Sequence, residues 1–227
     1  MDKAAVIVAG GLGTRMGSET PKQFLEVNGR PILSYTLDAF YTAFPEVQII
    51  IVFPQSFLEE GTAMVHRLYP GNNILFTAGG PARFDSVKKG LSLVQSPSVI
   101  FVHDAVRCLV TPALIRNCYE EALKHGSAIP VVPVKDSFRR VHQNGSEVVD
   151  RSLLRAVQTP QTFRSELLLP AFQVGYDPTF TDEATVVEHH GARVHLVPGE
   201  EGNIKITVRA DLDFAQQVTG KQLNPGI

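Results

Sequence analysis

The chain has 227 residues, 44% hydrophobic and 19% charged, with a formal charge of −2 at neutral pH. That length can bury a sizeable core and still form one α/β domain over residues 1–227, and the near-neutral charge excludes broad nucleic-acid binding, which needs a basic face. The longest apolar runs, such as residues 4–9 and 49–53, fall far short of the ~18–20 that span a bilayer, and no small-residue cleavage site follows an apolar leader, so a cytoplasmic protein without a membrane segment is expected.

The predicted elements begin with residues 3–9, a β-branched and apolar run that ends in Gly10-Gly11 and reads as a strand buried on both faces of a parallel sheet. After Pro31, the spacing of Ile32, Leu33, Tyr35, Thr36, Leu37 and Phe40 predicts the first crossover helix. Strands at 47–53 and 73–77 then alternate with helices at 55–68 and 85–94. A strand at 99–103, a helix at 111–124 capped by Thr111 with Pro112 following, and a strand at 128–134 continue the alternation. The fold class is therefore α/β, an open, doubly wound, mostly parallel Rossmann-like sheet.

Between Lys135 and Arg155 the pattern changes. Phe138-Arg139-Arg140-Val141, a turn at Asn144-Gly145, and Val148-Val149-Asp150 predict a β-hairpin arm. Its polar and basic content makes a poor core element, so the arm is expected to project and pack on a second copy of the chain as a homodimer. Beyond it come helices at 165–174 and 182–190, a strand at 193–197 and a last helix from about Ala210.

The chemistry concentrates in Ala9-Gly10-Gly11-Leu12-Gly13-Thr14-Arg15-Met16-Gly17, followed by Pro21-Lys22-Gln23-Phe24. Glycines after a strand expose backbone N–H groups that cradle phosphates. The loop lacks the third small residue of the dinucleotide fingerprint, where Met16 stands, and it lacks the lysine-serine/threonine pair of a P-loop. What remains is a glycine loop with Arg15 inside it and Lys22 just beyond, two cations aimed where a triphosphate would lie. Either alone reads as a solvated loop charge; with the glycines they point to phosphoryl or nucleotidyl transfer.

Further motifs follow in order: Asp85-Ser86-Val87, His103-Asp104-Ala105-Val106-Arg107, Gln158-Thr159-Pro160-Gln161, Thr181-Asp182-Glu183-Ala184 and Gly202-Asn203-Ile204-Lys205-Ile206-Thr207. With the glycine loop, this set resembles the 2-C-methyl-D-erythritol 4-phosphate cytidylyltransferases of the non-mevalonate isoprenoid pathway, and their relatives the ribitol-5-phosphate cytidylyltransferases, over nearly the whole chain. The resemblance implies transfer of CMP from CTP to 2-C-methyl-D-erythritol 4-phosphate with Mg²⁺, by in-line attack of an already ionised phosphate that needs no general base. It implies that Arg15 and Lys22 stabilise the transition state at the α-phosphorus. Backbone at Ala9, Gly10, Gly11, Gly13 and Thr14, with Gly79, Gly80, Ser86, Asp104 and Ala105, would form the CTP pocket.

For the acceptor, the resemblance implies that Lys205 orients the phosphate and that Arg151, at the base of the arm, grips it across the dimer interface. Arg107, Ser137, Thr159 and Thr181 would meet the polyol hydroxyls with Asp104 nearby. By its own residue type and place, Arg151 is equally a surface ion pair with Asp150 or Glu147. Asp104 ends an apolar strand where ligands of open α/β sheets gather, so it is a candidate for the ribose, for Mg²⁺ or for the acceptor, and equally a turn cap.

The chain departs from the family pattern at Val8-Ala9-Gly10-Gly11, where alanines are commoner, at Val106 and Cys108, usually alanine and proline, at Pro81, usually acidic, and at Ser137, usually threonine. None of these removes a charge assigned to catalysis. The glycine-rich loop also occurs in the ribitol-phosphate relatives, which makes ribitol 5-phosphate the alternative acceptor. A non-catalytic nucleotide-binding protein is the competing class, against which Arg15, Lys22, Asp104 and Lys205 together speak; an NAD-dependent oxidoreductase ranks last. Cys108 and Cys118 are too few for a disulfide framework or a zinc site, and the seven histidines show no metal-ligand spacing and receive no role.

Overall fold

The structure is a computed structural model and describes residues 1–10, 21–95 and 97–223. The chain opens with β1 (Asp2–Val8); a short hairpin of β2 (Glu26–Val27) and β3 (Arg30–Pro31) then leads into α1 (Ile32–Ala43). There follow β4 (Gln48–Phe53), α2 (Leu58–Leu68), β5 (Ile74–Ala78), α3 (Arg83–Leu91), β6 (Ser98–Asp104), α4 (Pro112–His125) and β7 (Ser127–Pro133), the alternation that the apolar spacing predicts. The caps of α4 behave as their residue types dictate. The Thr111 side chain accepts from the Leu114 N–H, and Gly126, left-handed at φ 85°, closes the helix by donating to the Ala122 carbonyl.

β6, β1, β4 and β5 lie side by side and parallel. Because side chains alternate across a strand, each apolar run feeds two cores. Ala5, Ile7, Ile49 and Ile51 face α1, α2 and α4, where Leu37, Phe40, Val65 and Ile115 meet them. Val6, Ile50 and Val52 face the other way, onto Val87 and Leu91 of α3. The same core takes in Leu168 of α5 (Ser165–Ala171) and Val187 of α6 (Glu183–His189).

Four strands have no predicted counterpart, the short β2–β3 pair and, in the main sheet, β10 (Arg155–Val157) and β11 (Gln161–Arg164), and one further strand is displaced. β10 and β11 both pair antiparallel with β7, and β11 also pairs antiparallel with β6, so it reverses the sheet between them. β12 (Leu196–Pro198) adds parallel to β7 and is shorter and later than the predicted strand at 193–197. β11 has one large apolar residue, Phe163; it is buried because Gln161 donates to the Asp182 carboxylate at 2.9 Å and accepts from the Ala184 N–H at 2.8 Å. The last helix, α7, spans Arg209–Leu223.

The arm consists of β8 (Phe138–His142) and β9 (Gly145–Val149), a separate two-stranded sheet. His142 pairs with Gly145, so the turn residues are Gln143 and Asn144, one position earlier than expected, and Gly145 at φ 142° opens β9. Among the described residues no helix is long and apolar enough to cross a membrane.

Candidate active site

The parallel strands bring their C-terminal tips to one edge, where open α/β sheets bind ligands. Asp104 stands at the tip of β6, buried, with both carboxylate oxygens engaged. Arg83 at the start of α3 donates to Oδ1 from Nε and Nη2, each at 3.2 Å, and reaches Glu183 at 2.5 Å from Nη1. Lys205 Nζ lies 2.9 Å from Oδ2, and Arg107 Nε lies 3.7 Å from the same oxygen. Burial alone would raise the Asp104 pKa, but the charges of Arg83, Lys205 and Arg107 outweigh it and hold the carboxyl well below the usual range.

Behind Asp104 the polar groups close on one another. The Thr159 hydroxyl accepts from the Asp104 N–H at 3.1 Å and meets His103 Nδ1 at 3.0 Å, while His103 Nε2 lies 3.3 Å from the Arg107 carbonyl. One proton arrangement satisfies all three contacts: Nε2–H donates to the carbonyl and Nδ1 accepts from the threonine hydroxyl. Burial pushes the His103 pKa down to about 3, which keeps the ring neutral in that tautomer.

The segment 203–207 runs along this edge. Its Ile206 N–H donates to the Val106 carbonyl, and the Asn203 carbonyl accepts from Arg107 Nη1 at 2.8 Å. Lys22, buried in the turn before β2, donates from Nζ to the Thr207 carbonyl at 2.5 Å. Two lysines from opposite ends of the chain, Lys22 and Lys205, are thus carried by one short segment beside Asp104.

Across the tips of β1, β4 and β5 lies a wall of small residues. Ala9 N–H bonds the Val52 carbonyl, Gly79 N–H the Phe53 carbonyl and Ala105 N–H the Val8 carbonyl. A Cβ at Gly79 would stand 2.7 Å from Ser86 Oγ, and one at Gly80 would stand 2.3 Å from Asp85 Cβ, so side chains are excluded there. Ser86 Oγ accepts from the Gly80 N–H and donates to the Ala82 carbonyl, each at 3.1 Å, which leaves one lone pair for a ligand.

A family model described as 2-C-methyl-D-erythritol 4-phosphate cytidylyltransferase matches residues 3–221. The chain belongs to this family. Relatives of that name from Bacteroides thetaiotaomicron and Bacteroides fragilis are 46% and 43% identical, covering 93% and 95% of this chain and 97% and 98% of their own. Two solved structures bear the same fold. The 2-C-methyl-D-erythritol 4-phosphate cytidylyltransferase of Thermus thermophilus has a TM-score of 0.75 at 30% identity, over 97% of this chain and 100% of that one. The 4-diphosphocytidyl-2C-methyl-D-erythritol synthase of Anaerococcus prevotii has a TM-score of 0.81 at 27% identity, over 96% of each chain.

Of the site residues that the family pattern implies, Gly11, Gly13, Thr14 and Arg15 lie outside the described residues. Ala9, Gly10, Gly79, Gly80, Ser86, Ala105, Asp104, Arg107, Lys22 and Lys205 stand together at the strand tips. Thr159 joins them from beneath: it is 5% exposed, and its hydroxyl faces Asp104 and His103 rather than open space. Ser137 and Arg151 are exposed at the base of the arm, where Arg151 Nη1 donates to the Lys135 carbonyl at 2.5 Å, and Thr181 is exposed just before α6. Arg151 therefore bonds its own arm here, while Asp150 accepts from Ser152.

Two members of the cluster were not among the predicted site residues: Arg83, which stands in none of the motifs, and Glu183, read only as part of Thr181-Asp182-Glu183-Ala184; they lie 100 residues apart and meet only in the fold. Asp104 does not fit as a ligand for Mg²⁺. Its oxygens already face three cations, Arg83, Arg107 and Lys205.

Proposed function

We propose that this protein transfers CMP from CTP to 2-C-methyl-D-erythritol 4-phosphate and releases pyrophosphate. The observation that carries the reading is the meeting, along one sheet edge, of the small-residue wall of Gly10, Gly79, Gly80 and Ser86 with the cations Lys22, Lys205 and Arg107. A phosphate oxygen of the acceptor forms the new bond to the α-phosphorus as the bond to the β-phosphate oxygen breaks, and the electron pair leaves with pyrophosphate. The attacking phosphate is already ionised, so the protein supplies position and charge rather than a base.

In this reading Lys22, with Arg15, meets the charge that develops at the α-phosphate. Lys205 and Arg107 receive the acceptor, and Asp104, itself held by Arg83, keeps those two cations in place. Mg²⁺ belongs to the reading as a partner of the nucleotide's own phosphates, and no step above runs through it. The cytoplasm is the proposed location, in keeping with two free, buried cysteines.

The deciding experiment is pyrophosphate release by the purified protein with CTP and Mg²⁺, offered 2-C-methyl-D-erythritol 4-phosphate or ribitol 5-phosphate. Turnover with the erythritol phosphate alone is expected; turnover with ribitol phosphate instead moves the acceptor, and turnover with neither overturns the reading.

We also propose a homodimer joined through the arm. Its support is the apolar surface there: Val141 and Val148, on one face of the hairpin, are 79% and 74% exposed, and Leu153 below them is 81% exposed. In such a dimer Arg151 serves the acceptor phosphate. Arg151→Ala is then expected to raise the acceptor KM tenfold or more with the CTP KM nearly unchanged, because only acceptor binding is lost. Steady-state kinetics with each substrate varied in turn checks this, and an equal rise in both KM values counts against it.

A further inference from the structure

We propose that Glu121, His125 and His195 form a binding site for a borderline divalent transition ion, Zn²⁺ in the first instance, away from the active site. Glu121 and His125 sit four residues apart on the last turns of α4 and so share a face of the helix. His195 comes from the entry to β12 and is fixed by its backbone: its N–H donates to Ser127 Oγ at 3.0 Å, and its carbonyl accepts from the Ile129 N–H at 2.8 Å. No reading of residue spacing joins these histidines; the pairing of β12 with β7 does.

The geometry favours an ion over an ion pair. Nε2 of His125 and Nε2 of His195 each lie 3.5 Å from the same oxygen, Glu121 Oε2, and the two rings stack with centroids 3.8 Å apart. That is long for a hydrogen bond, yet it is close to the ~3.3–3.4 Å that separates ligand atoms around a tetrahedral zinc with ~2.0–2.1 Å bonds. The three candidate ligand atoms all lie within 4.8 Å of one another. Glu121 Oε1 accepts from Lys124 at 2.8 Å, which orients the carboxylate and leaves Oε2 to the imidazoles. The Lys124 hydrogen bond also holds the Glu121 carboxyl below its ordinary range, in the ionised form that a metal takes.

Two imidazoles and one carboxylate suit zinc or its neighbours rather than the hard Mg²⁺ of nucleotide chemistry. The side chains of Glu121, His125 and His195 are 23%, 45% and 39% exposed, so an ion reaches them and a water can fill the fourth position. The site is remote from Asp104. Phe163 pairs with both Ser127 and Ile100, which places the start of β7 level with a point four residues, roughly 13 Å, before the tip of β6. Cys108 and Cys118 do not compete, because both are buried and burial pushes their thiols up to about 12.

The test is calorimetric titration of the chelator-stripped, full-length protein with Zn²⁺ alone. One equivalent is expected to bind, at least tenfold more tightly than to Glu121→Gln and with no such step in the His125→Ala/His195→Ala double variant. An excess of Mg²⁺ is expected to leave the isotherm unchanged, and the double variant is expected to release pyrophosphate at the wild-type rate. Indistinguishable isotherms for wild type and double variant overturn the site. Displacement by Mg²⁺ overturns the choice of metal class, and loss of turnover in the double variant overturns its separation from the active site.

Discussion

Lys22→Ala is expected to lower kcat for CMP transfer by about 10²–10³-fold, the loss seen when one fixed donor to a developing anionic charge is removed. The lysine is well placed for this role. Its ammonium is anchored on the Thr207 carbonyl, two residues from Lys205, so its position is set before substrate arrives. The fold should survive, because Lys22 sits in a turn outside the two sheet cores and its hydrogen bond to the Thr207 carbonyl is worth about 1 kcal/mol. Pyrophosphate release beside the far-ultraviolet dichroism of both proteins checks the two halves together. A variant with native dichroism and kcat within threefold of wild type removes Lys22 from the catalytic role.

Asp104→Asn is expected to destabilise the folded chain by about 3 kcal/mol at neutral pH, the lower end of the cost of breaking a buried ion pair. The amide keeps the carboxylate's shape and deletes its charge, leaving Arg83, Arg107 and Lys205 facing one another without their shared anion. The low end applies because Arg83 keeps Glu183 and because Lys205 is 45% exposed.

The effect carries a pH signature. A carboxyl whose folded pKa lies below its unfolded value of ~3.9 contributes stability above that pH and loses it as pH falls toward the folded value. The gap between wild type and Asp104→Asn in urea unfolding should therefore be full at pH 7 and shrink below about pH 4. Equal midpoints at pH 7 would show that Asp104 is not the hub that holds these cations.

Much of this protein is legible in its sequence because the relevant physics is local. The apolar runs at 4–9 and 49–53 mark strands buried on both faces, and β1 and β4 are that. Thr111 and Pro112 announce the start of α4, and the turn residues near Gly145 mark the hairpin, off by one position because Gly145 takes the first place of β9 instead of the second place of the turn. The order of the glycine loop and the later motifs is enough for the family, since each motif is a short run of residue types.

Other features were decided only by the tertiary structure. Arg83 finds Asp104 across 21 residues and Glu183 across 100, and neither carries a local mark of its partner. Gln158, Gln161 and Asn203, read from the sequence only as parts of motifs, turn out to clamp Glu200, α6 and Thr159. β11 is a strand because its neighbours satisfy its polar residues, not because its own pattern is apolar. His125 and His195 become neighbours only when β12 docks on β7. The division has one physical cause: burial by strand or helix and the capping of helix ends leave a periodic or local signature along the chain. The pairing of two polar groups far apart in sequence leaves none until the sheet sets them side by side.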